Sequence, residues 1–136
     1  MVTISRDILN DFNQVNSREW LETNGLGGWA GSTLSGMHTR RYHSMLMAAT
    51  NPPTERMSLL SKLDETLIVG EKRVELGTSD YGDVVCGHGY KWMTSFQQSL
   101  FPEWIFSVEK ITLKKTIAMV HGANTTLISY EVIDAD

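Results

Sequence analysis

The densest cluster of reactive side chains in this 136-residue sequence is Thr39-Arg40-Arg41-Tyr42-His43. A guanidinium is a rigid fork of donors, a phenol ring is an apolar face with a polar tip, and an imidazole can give or take a proton. Read as part of an extended segment over residues 39–48, the run places Arg40 and Tyr42 on one face. Thr39, Arg41 and His43 then share the other. Such a set suits three things: RNA, by stacking and phosphate contact; a solvated, ion-paired strand; or a polar network that satisfies the guanidinium donors. Charge argues against RNA and against anionic lipid. Twelve basic residues face sixteen acidic ones, for a net charge of −4, so no positive field extends beyond the cluster.

The second candidate is Gly25-Leu-Gly27-Gly28-Trp29-Ala30. It fits the dinucleotide pattern G-x-G-x-x-A, which needs a strand before it, a helix after it and an acidic residue about twenty positions on. The stretch that follows, Gly31-Ser-Thr-Leu-Ser-Gly36, is a poor helix former, and residues 45–49 hold no carboxylate. These glycines therefore read as turn formers, with Asn24 at the head of the loop. Trp29 and Trp92 lie in glycine-rich segments where an exposed ring could stack on the apolar face of a sugar. Trp104 alternates with Phe106 and Val108 and reads as core.

Other chemistries find little support. Glu19 and Glu22 would share one turn of a helix, while Asp64 and Glu65 are neighbours. Neither spacing singles out an acid/base pair for glycoside hydrolysis. His38, His43, His88 and His121 lack metal-ligand spacing, and on a straight strand His38 and His43 would point apart. The single cysteine, Cys86, sits in the apolar run Val84-Val85-Cys86 and reads as packed; one cysteine excludes a disulfide framework. No G-x-S-x-G nucleophile motif occurs. The reading is of a chain without metal or cofactor.

The elements that must position these residues are mostly strands. Ile8, Leu9, Phe12 and Val15 predict one short helix over residues 5–16. Thr50-Asn-Pro-Pro-Thr54 reads as a loop, and residues 122–124 as a turn. Residues 66–69 and 73–76 predict a hairpin around Gly70-Glu71-Lys72. Period-two alternation predicts strands over 104–109, 111–120 and 125–133. The expected fold is one mostly-β domain over residues 1–136, an antiparallel sandwich. Its last strand has no following partner: either it is an open edge suited to self-association, or the chain is a piece of something longer. No apolar run is long enough to span a membrane and no signal peptide stands at the start, so the expected location is the cytoplasm.

Several separated motifs carry a resemblance. Glu19-Trp-Leu-Glu-Thr-Asn-Gly-Leu-Gly-Gly-Trp-Ala-Gly-Ser-Thr33 is followed by Gly36-Met-His-Thr-Arg-Arg-Tyr-His43. Leu59-Leu-Ser-Lys-Leu-Asp-Glu-Thr66, residues 96–102 and Met119-Val-His-Gly-Ala-Asn-Thr125 come after them in order. Over residues 17–133 the chain resembles the N-terminal region of bacterial and archaeal glycogen debranching enzymes of the amylo-α-1,6-glucosidase type. It departs from that pattern at Ser44, where a glycine is expected, and at Met37-His38, in place of a small residue and Asn.

The resemblance implies an incomplete supersandwich of the kind that precedes glucoamylase-like catalytic domains. It also implies a separate C-terminal (α/α)6 barrel that holds the acid and base and cleaves α-1,6 glucosyl stubs with inversion. This chain would be the non-catalytic part, inactive alone. Its partners would be that catalytic domain and an α-glucan such as glycogen, with Asn24, Trp29, Arg40, Arg41, Tyr42 and His43 forming the substrate-binding surface. The residues alone leave open a self-standing glycan-binding module or a structural interaction domain.

Overall fold

A computed structural model describes residues 1–135. The chain opens with β1 (Val2–Ser5), α1 (Arg6–Leu9) and α2 (Phe12–Asn16). Four strands follow: β2 (Glu19–Thr23), β3 (Trp29–Thr33), β4 (Ser44–Asn51) and β5 (Thr54–Leu60). Two small ribbons come next, β6 (Thr66–Val69) with β7 (Lys72–Glu75), and β8 (Ser79–Asp80) with β9 (Val85–Cys86). After a 3-10 turn at Gly89–Trp92, the chain ends in β10 (Met93–Gln98), β11 (Pro102–Val108), β12 (Ile111–Met119) and β13 (Thr126–Ala135).

Two antiparallel sheets form the body. One has the order β2-β3-β4-β5 and the other β1-β10-β11-β12-β13. The architecture is the mostly-β sandwich expected from the alternation. The physical reason is clearest in β11, where Trp104, Phe106 and Val108 are buried while Glu103, Ile105 and Ser107 are half-exposed. One face of the strand must therefore meet another layer. It meets β2: the Trp20 and Trp104 rings lie edge to face with centroids 5.3 Å apart, and Phe96 flanks Trp104 at 5.1 Å. The buried indole N–H of Trp104 donates to the Leu34 carbonyl at 2.9 Å, so this large side chain leaves no polar group unpaired.

β12 buries Leu113, Ile117 and Met119 on the same side as Lys115. The Lys115 ammonium lies 5.7 Å from the Trp104 ring centroid and is ion-paired with Glu65. Glu65 also accepts the Tyr130 hydroxyl. Burial, with that carboxylate beside it, pushes the Tyr130 phenol well above its usual range and keeps it a donor.

The predicted helix over 5–16 is two helices. α1 ends at Asn10, whose side-chain amide is held by the Tyr90 and Met93 carbonyls, at 2.9 and 3.0 Å. Asp11 turns extended and caps α2 by accepting the Gln14 N–H at 2.9 Å. Leu9 and Val15 still reach the core, as the helical spacing requires. The hairpin of β6 and β7 pairs Val69 with Lys72, so its loop is Gly70-Glu71, one residue shorter than expected. Cys86 is exposed and not packed, because β8 and β9 form a two-residue ribbon with no layer over it. Among the described residues no helix is long and apolar enough to cross a membrane.

Replacing Trp104 by alanine removes the central ring and leaves the Leu34 carbonyl unpaired. The expected cost is about 3–5 kcal/mol of unfolding free energy, read from urea melts followed by circular dichroism.

Candidate functional site

The outer face of the four-stranded sheet holds the polar cluster. Strand alternation turns Trp20 of β2 inward and leaves Glu19 and Leu21 exposed on the other side. On β3, Trp29 and Gly31 stand opposite Thr23 and Leu21. With Arg40, Tyr42, His43 and Arg56 these residues line an open cleft of about 590 Å³. Glu19 and Glu22 lie on a strand and not a helix, and their odd separation puts them on opposite faces. Burial pushes the Glu22 carboxyl above its ordinary range.

Residues 39–43 are not extended. His43 folds back on its own backbone: Nδ1 accepts the Thr39 and Arg40 N–H groups at 3.1 and 3.3 Å, and the His43 N–H donates to the Arg40 carbonyl at 3.1 Å. A side chain that takes two backbone donors competes with the strand ladder, and here it wins. Strand β4 therefore starts only at Ser44. Because Nδ1 is an acceptor, the proton of the neutral ring sits on Nε2, which donates to Glu19 Oε1 at 3.0 Å. The same oxygen accepts Arg40 Nε at 2.7 Å. Among the described residues Glu19 Oε2 takes no hydrogen bond. The Arg40 side chain is 70% exposed, so this pair adds little stability and serves mainly to fix geometry.

The turn also holds the tryptophan. Trp29 Nε1 donates to the Tyr42 carbonyl at 3.0 Å. The Arg56 guanidinium lies 5.3 Å from the Trp29 ring centroid, while its Nε donates to the Gly27 carbonyl at 2.8 Å. The Trp29 ring is thus clamped at both ends. Tyr42 is 63% exposed at the rim. Arg41 is exposed and has no ion-pair partner among the described residues.

Asn24 is fully buried and acts from beneath. Its Oδ1 accepts the Leu26 and Gly28 N–H groups at 2.9 and 3.1 Å. Its Nδ2 donates to the Ala123 carbonyl and to Asn124 Oδ1 at 3.1 and 3.0 Å. Asn124 in turn brackets Ala49, accepting its N–H and donating to its carbonyl. The loop between β2 and β3 is thereby tied to β4 and to the turn before β13. Gly27 has φ of +93°, and a Cβ there would stand 2.6 Å from the Pro53 carbonyl oxygen. Positive φ and close backbone approach explain this glycine, and a strand rather than a helix follows the loop.

A protein family described as glycogen debranching enzyme, N terminal, matches residues 18–136. The chain belongs to that family. No curated protein and no solved structure matches it significantly. The matched span of this debranching-enzyme N-terminal domain runs through β2–β13 and contains every residue of the cleft. The Ser44 departure is absorbed locally: its buried hydroxyl meets Ser58 Oγ at 2.8 Å and donates to the Leu60 carbonyl at 2.8 Å.

The structure thus brings Trp29, Arg40, Tyr42 and His43 to one cleft, sets Arg41 beside them and Asn24 below. Sequence reasoning missed Glu19 and Arg56. Placing Glu19 on a strand one step from an inward tryptophan would have aimed it outward; Arg56 carries no sequence signal. His38 and His43, expected to point apart, lie with ring centroids 5.7 Å apart because the intervening turn reverses the chain.

Two outcomes follow. Asn24→Asp places a carboxylate oxygen where an amide donor meets two acceptors; a loss of roughly 3 kcal/mol is expected in chemical melts. His38 has its pKa lowered, first by burial and then by His43 and Lys62, with Asp64 opposing. Its folded pKa lies below the unfolded value of about 6.5, so its contribution is complete above pH 6.5 and is lost as pH falls through and below that point. His38→Gln should flatten the fall in melting temperature between pH 7.5 and 5.5; an unchanged slope would refute the assignment.

Proposed function

We propose that this chain is the non-catalytic N-terminal part of a glycogen debranching-type α-1,6-glucosidase, packing beside a catalytic domain and lending its outer cleft to the glucan. The observation that supports this reading is the joining of a clamped tryptophan, an exposed tyrosine, a half-free carboxylate and exposed arginines in one open cleft. Aromatic faces cover the apolar C–H patches of a pyranose, and charged groups meet its hydroxyls. Glu19 Oε2 would accept a hydroxyl proton, Arg40 and Arg41 would donate, and Trp29 and Tyr42 would supply the apolar surface. His43 holds Glu19 in place, and Asn24 holds the loop.

A non-catalytic role agrees with how the carboxylates are used. Glu19 and Glu22 occupy opposite faces of β2. Asp64 is paired with Lys62 and Glu65 with Lys115. Glu19 and Glu22 share no space, and Asp64 and Glu65, though they border one pocket, are each held by a lysine.

The test is affinity electrophoresis of the chain in gels containing glycogen, with tryptophan fluorescence titration alongside. An open cleft predicts weak binding, a dissociation constant on the order of 0.1–1 mM. Tyr42→Ala and Arg40→Ala should each weaken it about fivefold while leaving the melting temperature within a degree or two. If glycogen neither retards the chain nor changes its fluorescence, the cleft does not bind glucan.

A further inference from the structure

One dipeptide in the chain is chemically labile. Of the six asparagines only Asn24 precedes a glycine. Glycine has no Cβ, so nothing hinders the approach of its backbone nitrogen to the side-chain carbonyl carbon of the residue before it. Asn10, Asn13, Asn16 and Asn124 precede residues with side chains, and Asn51 precedes Pro52, whose nitrogen has no hydrogen to lose. The reaction is intramolecular. The Gly25 nitrogen gives its proton to hydroxide and attacks Asn24 Cγ; the Cγ–Nδ2 bond breaks and ammonia leaves. Water then opens the succinimide at either carbonyl. One product is aspartate. The other is isoaspartate, in which the main chain runs through the side-chain carbon.

The closed loop holds both reacting groups still. Asn24 is fully buried although Gly25 beside it is exposed. Asn24 Oδ1 accepts from Leu26 and Gly28, and Nδ2 donates to the Ala123 carbonyl and Asn124 Oδ1. The backbone of Asn24 is pinned as well: its N–H donates to the Gly28 carbonyl at 3.3 Å, and its carbonyl accepts the Gly122 N–H at 2.7 Å. The His121 ring fills the space that a Cβ on Gly25 would need. For Cγ to turn toward the Gly25 nitrogen, the side chain must give up bonds that no water is there to replace.

We infer that Asn24 is a deamidation site gated by this loop: the closed loop protects the amide, the opened loop loses it, and the product cannot close again. The last step follows from the same bonds. Aspartate sets a carboxylate oxygen, an acceptor only, where Nδ2 donated to the Ala123 carbonyl and Asn124 Oδ1. Isoaspartate lengthens the main chain by a methylene in a loop whose ends are fixed by the pairing of Thr23 with Trp29. The chain thus accumulates an irreversible mark of the time it spends open. This rests on the anchor beneath the cleft and stands whether or not the cleft takes glucan.

The experiment holds the chain at mildly alkaline pH, folded in buffer and unfolded in guanidinium chloride, with a thiol reductant because Cys86 is exposed. Peptide mapping by mass spectrometry follows each asparagine, and tryptophan fluorescence after dilution follows refolding. In the unfolded chain Asn24 is expected to convert ahead of the other asparagines, with the refolding yield falling in step. In the folded chain its conversion is expected to be slower by roughly a hundredfold or more, which measures how seldom the loop opens. Asn124→Ala removes one acceptor from Asn24 Nδ2 and should raise the folded-state rate about tenfold. At mildly acidic pH, where hydroxide is scarce, the same hold in denaturant should leave refolding intact. Equal conversion in buffer and in denaturant would overturn the gate, and so would a folded-state rate that Asn124→Ala does not move. If Asn124→Ala does not fold, the parent chain in buffer against denaturant decides alone. A refolding yield that survives full conversion of Asn24 would overturn the irreversibility.

Discussion

The cleft depends on two asparagines, one fully buried and one half-buried. Asn24 and Asn124 are joined through their amides, and between them they hold the β2–β3 loop, the backbone at Ala49 and the turn before β13. The energetics of burial explain why this pair dominates. A buried amide is costly unless its donors and acceptors are used; Asn24 uses all four of its positions, and with Asn124 it ties three otherwise independent segments together. The loop they hold carries the Gly27 carbonyl that positions Arg56, which in turn covers Trp29. Without that anchor the cleft has no fixed wall.

The surface groups above it work differently. Glu19, Arg40 and His43 form short contacts, yet exposed ion pairs contribute little to folding because water screens them and long side chains lose entropy. Stability comes from the tryptophan pair and the alternating apolar residues of β11 and β12. The division is useful: a site whose polar groups are not needed for stability can have them redirected to a ligand. His43 is the exception, buried and bound on three sides, and it converts a flexible turn into a fixed frame for Glu19.

Much of the sandwich was legible because its signal is periodic. Trp104, Phe106 and Val108 announce a one-sided strand regardless of context, and so do Leu113, Ile117 and Met119. What failed was local competition between side chain and backbone. The first helix ends at Asn10, whose amide is held by carbonyls eighty residues away, and His43 curled a predicted strand into a turn. Neither event leaves a period in the sequence. The cluster 39–43 was visible as a concentration of polar chemistry, but its carboxylate partner lay twenty-four residues earlier on β2. Glu19 could be found only once that segment was recognised as a strand. The family motifs cover the β2–β3 loop and the turn at 39–43, where the sequence has no period.

The strand order has a kinetic corollary. β2 to β5 are consecutive neighbours, and so are β10 to β13. Each meander can zip up from hairpins whose ends are close in the chain, which keeps loop-closure entropy small. β1 is different: Val2 pairs with Gln98, so its closure spans the whole first meander and costs more loop entropy than any hairpin. Its side chains are mostly exposed, so it is the strand released first when the edge frays, while Leu9 and Val15 hold the two short helices to the core.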